Sequence, residues 1–307
     1  MTSKRTAAYL MLLAVAAIWG FAVPIIKITL EDFPPVLFLT YRFLLTSLIL
    51  IPLFFLLEKP KPLKSIKELS LVLISGLLGS SINLGLLFWG LDNTTSLSAS
   101  LLSSLAPLMV IITAVFVLHE HVSKQEKIGI TFAFLGTIAF IASSSISSAD
   151  TQRTLFGNII ILTANLALVA YILITKRLLK DNFSAFYLTT SMFLIGSITM
   201  LPLAIIFYGP LPNLISYTLN QNLLSHAGVW YMAIFSGALA YFLYQQGQKR
   251  IEAAEAIIFH YLVPFFTAPL AFIALKEAIN LPMVISMIII GCGVFIAEFR
   301  KRAHQKL

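Results

Sequence analysis

The chain has 307 residues, 59% hydrophobic and 11% charged, with a net charge of +8, and its mean hydropathy is +0.92. Soluble domains carry roughly 25% charged residues, so this balance excludes a soluble enzyme or scaffold and marks a membrane protein. The lone cysteine, Cys292, excludes disulfides and cysteine-based metal sites.

A bilayer core about 30 Å thick takes about 20 mostly apolar residues per helix. Ten such runs follow one another, at 7–29, 36–57, 69–91, 96–118, 127–145, 155–175, 184–207, 228–247, 254–275 and 281–299. Their continuity does not fit the short alternating segments of a β-barrel. Run 1 lacks the small-residue cleavage pattern of a signal peptide and reads on through Phe21 to Lys27, so it is expected to stay as the first helix. It carries Trp19 near its middle. Run 2 holds Arg42 about two turns from its outer end, read as a structural anchor ahead of a substrate contact. Run 3 is rich in small residues (Ser75, Gly76, Gly79, Ser80) and contains Asn83; run 4 opens with Ser96, Ser98, Ala99 and Ser100 and contains Ser103 and Pro107. Small residues let helices approach closely in lipid, so runs 3 and 4 are expected to pack tightly.

After run 4 comes His119-Glu120-His121, whose imidazoles would face different sides of a helix; no metal site is expected there. Run 6 has Asn165 near its middle. The segment 208–227 is the one long connection and has no charge. Run 8 sets Gly237, Tyr241, Tyr244 and Gln248 on one helical face. Run 9 contains His260, Pro264 and Pro269. Of the 21 Lys and Arg, all but Lys27, Arg42, Arg153 and Lys276 fall on one side when alternate loops are assigned to opposite sides. The positive-inside rule then puts both termini in the cytoplasm, and the positive charge orients the protein without calling for nucleic acid.

The chain also repeats itself. A shift of 157 positions carries Gly90, Ala99, Pro107, Glu120, Ile128 and Gly136 onto Gly247, Ala256, Pro264, Glu277, Ile285 and Gly293. Upstream, a shift of 150 carries Phe33, Thr40, Phe43, Ser47 and Pro52 onto Phe183, Thr190, Phe193, Ser197 and Pro202. Five runs per copy is an odd number, so the second copy enters from the opposite side. Inverted repeats of this kind recur in secondary transporters, with the substrate near the midplane between halves. The expected fold is an all-α membrane protein of ten transmembrane helices, two inverted five-helix repeats around a central cavity. Its divisions are a first repeat at 7–142, a connecting loop at 143–154, a second repeat at 155–299 and a basic cytoplasmic tail at 300–307.

Ile18-Trp19-Gly20-Phe21 with Lys27, Tyr41-Arg42-Phe43, and the two blocks from Glu120 to Gly136 and Glu277 to Gly293 resemble the drug/metabolite transporter superfamily, in particular its EamA-type members. The resemblance covers nearly the whole chain. It implies a ten-helix basket whose cavity is formed mainly by helices 1, 3, 4, 6, 8 and 9, and movement of small metabolites. The second copy departs from the pattern, with Val169 and Ala170 opposite Trp19 and Gly20, and Met192 opposite Arg42.

All 13 acidic residues lie at or near run ends. Intramembrane acids are the usual proton or cation relays, so a facilitator or exchanger is favoured over a carboxylate-coupled antiporter. His260 is the deep side chain that titrates near neutrality; it reads first as a packing residue and second as a proton carrier. The expected substrate-binding residues are Trp19, Asn83, Ser103, Asn165, Tyr241, Tyr244 and His260, with Arg42 as an anchor or contact and Pro107 and Pro264 as hinges. Because inversion puts Glu120 and Glu277 at opposite faces, they are expected to cap or anchor the ends of runs 4 and 9. No cofactor or metal is expected. The functional reading is a secondary carrier of an amino-acid-like, aromatic or amphipathic metabolite in a bacterial inner membrane, exporting more than importing, as a monomer or homodimer. The alternatives are an intramembrane enzyme acting on lipid or isoprenoid, and a non-transporting membrane subunit; neither shows its expected nucleophile, metal cluster or interaction loops.

Overall fold

Lipid offers no hydrogen bonds to a bare backbone, so an apolar run must pair its own N–H and C=O groups, and a helix does this within one segment. The computed structural model of the protein describes residues 3–58, 63, 65–117, 124–144, 151–277 and 281–299, and it is built of helices. We number the ten spans in chain order: Ser3–Thr29, Pro35–Leu57, Ile66–Asp92, a broken span 4 of Ser96–Ser103 and Ala106–Val117, Lys124–Ser144, Thr151–Lys180, Ala185–Tyr208, Leu223–Arg250, Ala253–Leu275 and Leu281–Phe299. Among the described residues seven helices are long and apolar enough to cross a membrane, and spans 5 and 10 contain the shorter apolar stretches Lys127–Gly136 and Val284–Gly293.

Several helices overrun the apolar runs because polar residues cap them. Ser65 Oγ accepts from Glu68 N at 3.2 Å, which starts span 3 at Ile66, and Asn222 Oδ1 accepts from Ser225 N at 2.9 Å, which starts span 8 at Leu223. The long uncharged connection folds into a short helix, Leu211–Leu219, entered through Pro210 and Pro212 and tied back by Tyr217, whose hydroxyl donates to Asp32 O at 2.7 Å.

The packing pairs equivalent spans of the two copies. Spans 2 and 7, equivalent to one another, pack together and meet at Ser47 Oγ and Ser197 Oγ, 3.0 Å apart, residues that are themselves repeat partners. Spans 5 and 10 pair in the same way, with Gly136 pressed so near Ser286 that an added Cβ would lie 3.0 Å from its carbonyl oxygen. The contact of span 3 with span 6 has its counterpart in that of span 8 with span 1: Gly90 lies against Ile161, and its partner Gly247 lies against Leu12. Without a hydrophobic push between helices in lipid, close approach at small residues is the main source of cohesion.

Matched lysines finish the ends of spans 3 and 8. Lys27 Nζ donates to Leu91 O at 2.9 Å and Asp92 O at 3.2 Å, while Lys176 Nζ donates to Gln248 O and Ile251 O. A cation at a helix C-terminus satisfies its last carbonyls and the negative end of its dipole. Lys176, one of the charges used to orient the chain, is thus a buried cap.

Two irregularities recur in both copies. Span 4 breaks between Ser103 and Ala106, just before Pro107, and span 9 passes through a 3-10 stretch, Ile258–Leu262, just before Pro264. Each proline sits in the first turn of the helix that restarts, where its missing N–H costs nothing. Span 3 contains a π-helical turn at Leu78–Ile82, and span 8 contains one at the equivalent place, Ile234–Leu239. Such turns free carbonyls for other partners and are frequent at functional sites.

Candidate functional site

These irregular segments converge on a partly open cavity of ≈ 100 Å³ between the halves. Ser103 and His260, repeat partners, stand at the two helix breaks and both line it. Asn83 follows the π turn of span 3, and Ser236 lies within that of span 8; both line it too. Spans 1 and 6 add Trp19 and Asn165.

Three of the polar lining residues are held by bonds to backbone carbonyls of neighbouring spans. Trp19 Nε1 donates to Ser236 O at 3.1 Å. Asn165 Nδ2 donates to Leu102 O at 2.7 Å, at the break of span 4, and Asn83 Nδ2 donates to Ala164 O at 2.9 Å. Each interhelical bond of this kind contributes about 0.6 kcal/mol in a membrane, so their larger effect is to fix orientation. Trp19 anchors an aromatic wall, its ring centroid 5.2 Å from that of Tyr241, 5.4 Å from Tyr244 and 5.1 Å from His260. Edge and tilted contacts at these separations add roughly 0.5–1.5 kcal/mol per pair.

Arg42 is 1% exposed. Its Nε donates to Met232 O at 2.9 Å, and Thr46 Oγ1 takes the adjacent Ala233 O at 3.2 Å, so span 2 satisfies carbonyls at the start of the π turn in span 8. Its guanidinium lies 5.6 Å from the Phe88 ring and 5.9 Å from the Phe193 ring, and it reaches the cavity. Among the described residues its Nη1 has no partner, and no Asp or Glu lines the cavity.

Of the residues expected from sequence to bind substrate, Trp19, Asn83, Ser103, Asn165, Tyr241 and His260 stand together around this space, and Arg42 joins them. Tyr244 stands outside the lining, packed against Trp19 and, at 5.3 Å, against His260. Gly237 turns away as well: a Cβ there would meet Thr46 Oγ1 at 3.2 Å and Phe193 at 3.3 Å, and Ser236 takes the cavity side, because the π turn shifts the helical phase. Sequence reasoning passed over Ser236, Met232, Leu168, Phe88 and Val263, which line the cavity but look like ordinary span residues. Glu277 does cap a helix, at the start of span 4 and not at the end of its own: it accepts from Ser96 N at 2.9 Å, Ser96 Oγ at 2.7 Å and Leu97 N at 3.0 Å. Glu120, His119 and His121 lie outside the described residues.

A polar cluster stands at the N-terminal end of span 1. Arg5 pairs with Glu255, Tyr9 donates its hydroxyl to the same carboxylate, and Arg5 Nε donates to Tyr9 at 3.0 Å. On span 1 the lining residues Trp19, Ala22, Val23 and Ile26 all lie away from this cluster, in the half nearer Lys27.

The model of the EamA-like transporter family matches residues 6–142 and 155–299. The chain is 28% identical over 302 residues to a Bacillus subtilis (strain 168) protein named uncharacterized transporter YetK, covering 98% of this chain and 90% of that one. It is also 28% identical to uncharacterized transporter YyaM of the same organism, covering 96% and 94%. WAT1-related protein At2g40900 of Arabidopsis thaliana matches at 22% identity over 76% of this chain and 63% of its own. A solved crystal structure superposes with a TM-score of 0.74 at 16% identity, covering 97% of this chain and 99% of its own, a likeness of fold.

Proposed function

The chain belongs to the EamA-like transporter family, and from that premise we propose that it is a secondary carrier moving a small organic solute by alternating access, with export the favoured direction. The observation that carries the reading is the cavity between the halves, built where both copies interrupt their helices at equivalent positions. Discontinuous helices around a midplane site are how inverted-repeat carriers expose polar groups to a solute without exposing backbone to lipid. The breaks before Pro107 and Pro264 serve as the hinges, and the units that move are the two repeats joined through 143–154. With the termini cytoplasmic, the Arg5–Glu255–Tyr9 cluster and the Lys176 cap form the closed inner gate, and the lining faces the outer half. An aromatic wall with a few fixed polar groups suits an amino-acid-like, aromatic or amphipathic solute. Family membership supports transport over an intramembrane enzyme or a silent subunit, and the proposed setting is a bacterial inner membrane.

Purified protein in liposomes tests this. Vesicles preloaded with a metabolite mixture and diluted into the same mixture bearing trace labels should accumulate one solute class by counterflow, and protein-free vesicles should not. Lipid turnover without solute flux would overturn the carrier reading.

A further inference from the structure

Arg42 carries more than its bond to span 8 requires. A guanidinium presents five N–H donors, and the anchoring bond to Met232 O uses Nε. The rest of the group lies beside the cavity with Nη1 unmatched among the described residues, and the ionisable side chain that bears on it is Tyr241, not an acid. A buried charge without a counter-charge is costly, and the Phe88 and Phe193 ring faces relieve it only in part. Snorkelling does not relieve it, since the side chain is 1% exposed and turned inward. Among the described residues no group of the wall is an acid, and the amide nitrogens of Asn83 and Asn165 each give one hydrogen to a carbonyl, Ala164 O and Leu102 O. The repeat partner of Arg42 is Met192, so the second half brings no matching cation to that level.

We propose that the solute is a small monocarboxylate with an apolar or single-ring body, held by its carboxylate on Nη1 of the Arg42 guanidinium, with its body against Trp19, Phe88 and Tyr241. A carboxylate accepts a charge-assisted hydrogen bond from such an N–H, stronger than one to a neutral acceptor. One cation and no anion in the lining select a net charge of −1 and disfavour an ammonium group, which separates this class from zwitterionic amino acids. A space of ≈ 100 Å³ is of the order of the engineered cavity of about 150 Å³ that takes up benzene, so the body is small. This assignment rests on the carrier reading only for the word solute; the anion site itself is a binding claim.

The experiment therefore measures binding apart from flux. Thermal unfolding of purified wild-type protein and of Arg42→Gln and Arg42→Lys is titrated with benzoate and benzamide, with 3-methylbutanoate and its amide, and with benzylammonium. In the wild type at least one acid should bind roughly 10- to 100-fold more tightly than its amide, the range of a charge-assisted pair, and the cation should give no shift. Arg42→Gln should bring acid and amide within about twofold of each other, and Arg42→Lys should keep part of the preference. Equal binding of acid and amide in the wild type, no shift with any acid, or an undiminished preference in Arg42→Gln overturns the proposal. A lowered melting temperature with the acid preference intact assigns Arg42 to anchoring alone and also overturns it. Should Arg42→Gln fail to fold, Arg42→Lys and the wild-type acid-to-amide ratio decide. Flux without acid preference would leave the carrier and remove the anion site; acid preference without flux would do the reverse.

Discussion

Gly20→Val should leave almost no folded protein. A Cβ on Gly20 would lie 2.4 Å from Phe266 Cβ and 2.8 Å from Val263 O, atoms fixed to the backbone of span 9, and Gly20 O already accepts Thr267 Oγ1 at 2.9 Å. Span 1 cannot back away without losing that bond and the seat of Trp19, so several kcal/mol of overpacking falls on one contact. The yield of monodisperse protein in detergent should drop by roughly tenfold or more. Gly76→Ala is the control: its Cβ would meet Ile195 Cδ1 at 2.3 Å, the far end of a flexible side chain, and that variant should stay near wild type. Equal yields from both variants would mean that spans 1 and 9 do not approach as described.

Glu277→Ala should lower the unfolding free energy by about 1–3 kcal/mol. The carboxylate takes two backbone N–H groups and the Ser96 hydroxyl at the start of span 4, where the helix dipole also favours an anion. The side chain is half-buried, so the charge term is small and the unmade bonds dominate. Glu277→Gln, which keeps one acceptor oxygen and loses the charge, should fall between. Ser96→Ala should cost less in a Glu277→Ala background than alone, since the two share a partner. Reversible titration with denaturing detergent reads all four; full additivity would show that the cap does not exist in the membrane-bound protein.

Scarce residues made much of this legible beforehand. Pro107 and Pro264, recurring in register, marked the two places where helices break, and the shift that carries one onto the other also carries Ser103 onto His260, both in the cavity wall. Trp19, Asn83 and Asn165 stood out because a polar or aromatic group deep in an apolar run needs a partner, and each found a carbonyl. The π turns had no comparable mark. Their extra residue depends on how spans 3 and 8 lean on their neighbours, so strict helical spacing kept Gly237 on the cavity face where Ser236 stands. Arg42 illustrates a different limit. Its depth was readable, and so was an anchoring role, but the unpartnered Nη1 follows from which groups do not come near it, a matter of three-dimensional placement. Lys176 looked like one more loop charge, and only the return of span 8 to it reveals a cap.

The inverted arrangement of the two copies underlies the cavity, the matched breaks and the carrier reading alike, and the repeat partners Glu31 and Asp181 test it most directly, since both are exposed and each stands two residues before an equivalent buried phenylalanine, Phe33 or Phe183. In a Cys292→Ala background, Glu31→Cys should react with a membrane-impermeant maleimide on intact cells, and Asp181→Cys should react only after permeabilisation. Labelling of both in intact cells, or of neither until the membrane is opened, would contradict the inversion.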